Sequence, residues 1–308
     1  MPFPTPHLDK LKATLENKSA KLPECDKPNV ERAIVKYKEW IAKLDAVKGT
    51  PDEILQQSVD LLNGYRFFID IDLIFDSKDN FLYRQKGQLK LDNSVIEEFL
   101  PRLIQPSVIP ELKDMGVNSG PRSSFASLFF TSSLAAPQVG GGLNVREKDQ
   151  DFAICKPLYI WTSHSANFRE GQYERAVTNI TYVAAECKTN LDKTMFQEAC
   201  ATARDTKFAV NGANYYLLAE WLDMAPLSTA ATEIDEVILL RKAKRINANV
   251  RSAFATVAGR AKARAAYVEY LKKYPFRADM FKRFVLHVAK LLRNEAPEER
   301  EVLEHGYF

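Results

Sequence analysis

The first third of the chain repeats apolar residues at three- and four-residue intervals, which is the spacing of amphipathic helices. One helix is predicted from Pro28 to about Val47. A second is predicted from Thr50 toward residue 74, because a capping hydroxyl, a proline and two acids open it in that order. A third should begin at Asn93 and end near Pro101 or Pro106. This part of the chain therefore reads as mainly helical.

Short apolar runs rich in β-branched and aromatic residues replace that pattern in the middle of the chain. Such runs predict buried strands, and a helix between them is typical of an α/β sheet. From residue 243 to residue 292 the spacing is helical again, with a break near Tyr274-Pro275. The predicted strands are Asn144–Ile154, Thr178–Lys188, Tyr215–Trp221 and Val237–Leu240, with a helix from Thr194 to about Ala203.

Proline and glycine between residues 110 and 122 mark the best boundary candidate. We therefore expect a mainly helical region over residues 1–118 and an α/β domain over residues 119–308. The segment from Pro121 to Leu143 is rich in Ser, Ala and Gly and is interpreted as a flexible connector. Short strands are expected on either side of Lys86-Gly87. Nothing with Walker spacing follows the glycines at 140–142, so a phosphate-binding loop is not predicted.

Composition narrows the class of protein. The chain has 308 residues, 46% of them hydrophobic, which is ordinary for a globular protein. The chain contains no run of about 18 apolar residues, so a membrane span is not predicted. The four cysteines form no Cys-x-x-Cys pair and the four histidines are scattered, so a zinc site or a disulfide framework is not expected. The cysteine pattern therefore fits a reduced compartment, and we expect an intracellular, cytoplasmic protein.

Charge is distributed unevenly. The net charge is +3, but residues 241–293 contain 15 Lys and Arg and only two acids, so this segment alone carries +13. Such an excess favours an anionic partner such as nucleic acid, with a solvated helical face as the alternative. Within it, a dense polar run follows the last predicted strand. Its members, predicted to contact DNA phosphates or bases, are Arg241, Lys242, Lys244, Arg245, Asn247, Asn249 and Arg251.

The strand predicted from Thr178 ends in Glu186-Cys187-Lys188. Side chains at positions i and i+2 of a strand share a face, so this strand would present a carboxylate and an ammonium side by side. Asp151 opens another apolar run 35 residues earlier. An acid followed by Glu-x-Lys on adjacent strands is the metal-nuclease pattern PD-(D/E)xK. Glu-x-Lys also occurs at residues 16–18 and 111–113, but no strand-like run leads into either copy.

Hydrolysis of a phosphodiester needs an oriented water and a sink for negative charge, and a divalent cation supplies both. Asp151 and Glu186, with the backbone carbonyl of Cys187, would be its ligands, and Mg²⁺ suits such hard oxygens. Lys188 would stabilise the deprotonated water, while the Cys187 side chain packs in the core. Gln197 on the following helix could hold a water or the scissile phosphate. Asp149 shares a face with Asp151, and it and Glu147 stay open as alternative acids.

The run from Glu186 to Ala199, Glu-Cys-Lys-Thr-Asn-Leu-Asp-Lys-Thr-Met-Phe-Gln-Glu-Ala, resembles restriction endonucleases of the BbvCI type. Asp-Phe-Ala-Ile at residues 151–154, with Lys-Pro-Leu-Tyr at residues 156–159, carries the same resemblance, which spans roughly residues 146–251. It implies a type II restriction endonuclease that cuts double-stranded DNA with Mg²⁺ at a short, asymmetric site. It also implies two related subunits, each cutting one strand, with Asp151, Glu186 and Lys188 as catalytic residues.

The fold expected from these arguments is α/β, with a PD-(D/E)xK restriction-endonuclease-like core of a mixed sheet flanked by helices. A mainly helical N-terminal region and a basic helical C-terminal region would surround it. We expect a dimer, formed from identical chains or with a related subunit. In this sequence Gln150 rather than proline precedes Asp151, a departure from the pattern. A DNA-binding protein without catalysis, or a repair or structure-specific nuclease with the same core, are the alternatives.

Overall fold

The computed structural model of the chain describes residues 3–16, 22–293 and 299–306. Helices precede, interrupt and follow one five-stranded sheet. The helices are α1 Pro6–Glu16, α2 Lys27–Ala46, α3 Pro51–Phe68, α4 Phe81–Gln85, α5 Ser94–Leu103, α6 Lys193–Ala209, α7 Ala248–Ser252, α8 Val257–Lys273, α9 Ala278–Arg293 and α10 Glu299–His305. The strands are β1 Asn118–Phe130, β2 Leu143–Ser163, β3 Tyr173–Leu191, β4 Asn214–Leu222 and β5 Glu236–Lys244.

The helices of the N-terminal third begin close to the predicted positions. Thr50 and Glu53 form a reciprocal capping box at the start of α3. This helix continues into a π-helical segment, Ile69–Phe75, so the predicted extent toward residue 74 is confirmed. The strands expected beside Lys86-Gly87 are wrong. Helix α4 and a turn occupy that position, and the turn closes its own backbone hydrogen bonds, as from Leu91 N–H to the Lys86 carbonyl at 3.0 Å.

The sheet has the order β1-β2-β3-β4-β5. Strands β1, β2 and β3 pair antiparallel, and β3, β4 and β5 pair parallel, so the predicted mixed sheet is confirmed. The β2–β3 hairpin is much longer than the two predicted strands. The parallel half needs crossover connections, and α6 supplies the one between β3 and β4.

The connector predicted over residues 121–143 is wrong in its first half, because residues 118–130 form edge strand β1. Its small residues fit a strand that is partly covered: Ser124 and Ala126 are buried, while Phe129 and Phe130 are exposed. Composition alone suggested a loop, but pairing along β2 fixes the backbone. In β1, tertiary contacts thus override the conformational preference of the local sequence, and β propensity is known to depend strongly on context.

Two hydrophobic layers cover the sheet. Helix α6 packs on one face, where Phe196, Ala199 and Ala203 meet alternate residues of β3 and β4. The N-terminal helices and α9 cover the other face in one buried cluster, which includes Leu62, Phe99, Phe152 and Phe284. This cluster runs across the boundary predicted near residue 118. Among the described residues, no helix is both long and apolar enough to cross a membrane.

Candidate active site

The candidate site lies where β2 and β3 separate. Their pairing ends at Phe152–Ala185; beyond that pair β2 stays with β1, while β3 stays with β4. Asp151 and Glu186 are the next residues on the two strands, so they lie at the mouth of this fork. The backbone N–H of Cys187 donates to Oδ2 of Asp151 at 3.0 Å. The first acid and the Glu-x-Lys segment are therefore brought together.

A bulge turns Asp151 out of the regular ladder. Gly120 of β1 pairs with Ala153 and Arg122 pairs with Gln150, so Pro121 alone faces two residues, Asp151 and Phe152. Proline has no N–H to donate to a ladder, and bulges commonly occur beside active sites, where they re-aim a side chain. Gly120 is required here, because it has φ +123° and a Cβ would lie 2.6 Å from Cγ of Pro4.

Glu186 and Lys188 share one face of β3, and Nζ of Lys188 lies 2.6 Å from Oε1 of Glu186. The alternation expected from the strand is therefore present. Cys187 points the opposite way into the main core and is 2% exposed, as predicted for a packed thiol. Burial raises the pKa of that thiol well above its ordinary value, so it remains protonated and unreactive.

The environment of Lys188 keeps it charged. Burial alone would lower its pKa, but the hydrogen bond and charge of Glu186 outweigh burial, with help from the charges of Asp151 and Glu198, and the net shift is upward. On β4, the Tyr215 hydroxyl donates to Oε2 of Glu186 at 2.7 Å. Both oxygens of Glu186 thus have a donor that holds the carboxylate in place.

The alternative acids on β2 have other partners. Asp149 is exposed and accepts a hydrogen bond from Ser123 at 2.6 Å. Glu147 is also exposed and accepts from Thr178 at 2.6 Å. Neither contact involves Glu186 or Lys188, which favours Asp151 as the first acid.

Two charged residues at this site were missed from the sequence. Nζ of Lys90 lies 3.4 Å from Oδ1 of Asp151 and 3.2 Å from Oε1 of Glu97. Burial raises the pKa of Glu97, the charge of Asp151 raises it further, and Lys90 opposes both. Glu97 lies in a mostly apolar run of the sequence, Val95 to Leu100, and an acid in such a run was the available signal; the structure buries that whole helix. Tyr215 was missed because nothing local distinguishes it from a core aromatic.

Gln197 lies exposed on α6. Its neighbour Glu198 is close enough for its charge to raise the pKa of Lys188. The role predicted for Gln197 remains a prediction.

The donor atoms fit a hard divalent cation. Oδ2 of Asp151 accepts from the N–H of Cys187, the residue that follows Glu186, so the Asp151 and Glu186 carboxylates and the Cys187 carbonyl are hard oxygen donors on neighbouring residues at the fork. Within the described ranges, no cluster of three or more acidic, His or Cys side chains could hold a metal ion by itself. Mg²⁺ is commonly bound through one or two carboxylates and retains several waters, so it needs no such cluster.

For one residue of the predicted DNA-contacting run, the prediction of a surface position is wrong. Arg241 is 4% exposed and belongs to strand β5, which extends further than predicted. Its guanidinium lies 3.3 Å from Glu220 and 3.8 Å from the ring centre of Phe276. It also donates to the Tyr274 carbonyl at 2.9 Å. Arg241 is therefore held in the interior of the fold by these partners.

The rest of the run lies at or near the surface. Lys242, Lys244, Asn247 and Asn249 are exposed, while Arg245 and Arg251 are partly buried. Some already have partners: Lys242 pairs with Asp279, Arg245 pairs with Asp223 at 2.8 Å, and Asn247 caps α7. A groove of about 630 Å³ lies between β5 and α8, lined by Lys242, Lys244, Arg245, Tyr267, Tyr270 and others. A smaller adjoining cavity reaches Thr189 and Asn190, directly after Lys188.

Comparison with known proteins identifies the fold and the family of the chain. A solved structure of native BbvCI, an A2B2 tetramer at low resolution, superposes with a TM-score of 0.51 at 20% identity. The match covers 86% of this chain and 96% of the BbvCI chain, which defines the fold as that of a restriction enzyme. The model of the Bpu10I restriction endonuclease family matches residues 88–308, and the chain belongs to that family. None of the curated proteins compared with the chain matches it.

Proposed function

We propose that the chain is a type II restriction endonuclease that hydrolyses double-stranded DNA at a specific sequence with the help of Mg²⁺. The single observation that carries this proposal is the Glu186–Lys188 pair beside Asp151 at the fork of β2 and β3. Membership of the Bpu10I family supports the nuclease class.

Each side chain has a separate task in this proposal. Asp151 and Glu186, with the Cys187 carbonyl, would hold the cation, which would neutralise charge at the phosphate and make a water more acidic. Lys188 stays protonated and would donate a hydrogen bond to the attacking water, which stabilises the negative charge that develops on its oxygen. Tyr215 fixes the Glu186 carboxylate through its hydroxyl. Gln197 is proposed to orient a water or a phosphate oxygen from α6.

DNA is proposed to lie along the exposed part of the basic run. Lys242, Lys244, Arg245, Asn247, Asn249 and Arg251 supply phosphate contacts and base readers. The groove beside β5 and its extension to Asn190 support this placement, because they connect the basic surface with the end of the catalytic strand.

We propose that a double-strand break uses two chains, because one fork holds one site and cuts one strand. The A2B2 arrangement of BbvCI supports a partner that is either a second copy or a related subunit. Sedimentation of the purified chain, alone and with DNA, distinguishes self-association from a requirement for a sister chain.

The test is digestion of a plasmid with Mg²⁺. Wild-type protein should give discrete fragments, and Glu186→Gln and Lys188→Met should lower the rate by about 10²- to 10³-fold or more, since each removes a group that stabilises the transition state. A gel shift should show that both variants still bind DNA. The matched control is Lys113→Met, which changes the exposed lysine of the Glu-x-Lys copy at residues 111–113 and should cut normally.

Full activity of Glu186→Gln would contradict the proposal. A salt-dependent gel shift without any cleavage by wild-type protein would favour a DNA-binding protein without catalysis. Smears, or preferential cutting of branched DNA, would favour a repair or structure-specific nuclease.

A further inference from the structure

Lys90 has an unusual position beside the candidate cation site. Its ammonium bridges Asp151 and Glu97, at 3.4 and 3.2 Å, and its side chain is 39% exposed. The Glu97 side chain is only 6% exposed, so it has little water to replace Lys90 as a partner. The lysine therefore neutralises one oxygen of the proposed cation ligand Asp151 from the N-terminal side of the fold.

The backbone at Lys90 is held in a conformation that lysine rarely adopts. Its φ is +51°, in the left-handed region that favours glycine. Two bonds fix it there: the Ser94 hydroxyl donates to the Lys90 carbonyl, and the Lys90 N–H donates to the Gly87 carbonyl at 3.1 Å. A strained backbone persists where its surroundings over-determine it, often at functional sites. The fold thus retains a long cationic side chain where a glycine would fit with less strain.

We propose that Lys90 is a built-in competitor of the divalent cation. Its ammonium occupies the Oδ1 side of Asp151 in the cation-free protein and withdraws when a cation binds there. This inference rests on the proposed function. Two positive groups cannot share that oxygen at contact distance without strong repulsion, because the site is only partly exposed to water. Lys90 thereby sets the cation concentration at which the site fills.

Binding of Mn²⁺ without DNA tests the proposal, because Mn²⁺ takes the same oxygen ligands and its free concentration can be measured by electron paramagnetic resonance. At pH 8, Lys90→Gln should lower the Kd by about tenfold, since it removes one charge close to the bound ion. Lys90→Gly should do the same while relaxing the turn, which separates the effect of charge from that of backbone strain.

Two controls define the outcome. Lys90→Arg keeps the charge and should not lower the Kd, because a guanidinium binds a carboxylate at least as firmly as an ammonium does. Lys148→Gln removes an exposed lysine three residues from Asp151 on the same strand and should change nothing. Thermal melting confirms that each variant is folded.

Unchanged or weaker Mn²⁺ binding in Lys90→Gln and Lys90→Gly, with normal wild-type binding, would overturn the role of Lys90 alone. Absence of binding by wild-type protein, or wild-type affinity in Asp151→Asn, would overturn the cation site itself and the inference with it. The two failures are therefore distinguishable.

Discussion

Glu186 on β3 and Glu220 on β4 are both carboxylates paired with basic side chains, but their surroundings differ. The Glu186 side chain is 16% exposed and pairs with Lys188 across two residues of one strand. The Glu220 side chain is 2% exposed and lies between two arginines, 2.5 Å from Arg66 and 3.3 Å from Arg241. The two arginines also contact Asp70. Similar residue types thus form an open pair and a closed network in one sheet.

The open pair and the closed network also differ in the type of basic side chain that they contain. The interior network uses arginines, whose planar guanidinium offers several fixed donors and stays charged when buried. The candidate site uses Lys90 and Lys188, whose ammonium is a mobile point charge on a flexible stem. A lysine can leave its partner when a ligand arrives, whereas Arg66 has three contacts to give up at once, with Asp70, Glu220 and the Asp92 carbonyl. The difference teaches that exposure and the type of basic side chain, rather than charge alone, distinguish the open pair from the closed network.

The strongest test of this contrast is removal of the carboxylate from each cluster. Glu220→Ala leaves Arg66 and Arg241 buried with only Asp70 as a shared carboxylate and should lower the free energy of unfolding by about 3–5 kcal/mol. Glu186→Ala should lower it by less than about 1 kcal/mol, because water reaches Lys188. Urea unfolding followed by circular dichroism measures both. Equal losses in the two variants would remove the distinction between the clusters.

The second largest effect is expected when acid lowers the stability that the buried network provides. Burial would raise the pKa of Asp92, but the charges of Lys86 and Arg66 outweigh burial and lower it to about 2. A depressed carboxyl pKa stabilises the fold above about pH 4, and this contribution is lost as the pH falls toward 2. Wild-type protein should therefore lose about 2 kcal/mol more than Asp92→Asn over that range. Urea unfolding at several pH values measures the difference, and parallel curves for the two proteins would contradict it.

The smallest effect is expected from the tyrosine that orients Glu186. Tyr215→Phe removes one hydrogen bond to a charged oxygen and should slow cleavage by about tenfold with little change in stability. The matched control is Tyr216→Phe, on the opposite face of β4, whose hydroxyl accepts from Asn214 at 3.0 Å. If Tyr216→Phe slows cleavage as much as Tyr215→Phe, the effect comes from the strand rather than from Glu186.

Local patterns predicted most of the fold. The capping residues of α3, the apolar spacing of α2 and the runs that became β3 and β4 depend on neighbours in sequence, which a single chain reveals. Strand β1 was missed because its Ser- and Ala-rich sequence gains its structure from pairing with β2. The turn at Lys86-Gly87 was misread because short apolar runs are compatible with either a strand or a helix.

The site was predictable only where its residues are close in sequence or lie on paired strands. Glu186 and Lys188 follow from alternation along β3, and Asp151 follows from its place at the head of a strand. Lys90 and Glu97 come from another part of the chain, and no spacing connects them to Asp151. Arg241 was misplaced because a buried arginine and a DNA-contacting arginine look identical in sequence. Only its partners, Glu220 and Asp70, distinguish them.

The direction in which the Asp151 side chain points depends on the number of residues in the bulge opposite Pro121. Two residues of β2 there span the distance that one residue of β1 spans, so loss of one of the two would restore an even pleat. Every β2 side chain between the bulge and the β2–β3 hairpin would then move to the other face of the sheet relative to Gln150. Single-residue deletions in this segment should consequently be tolerated far less well than most replacements of the same residues.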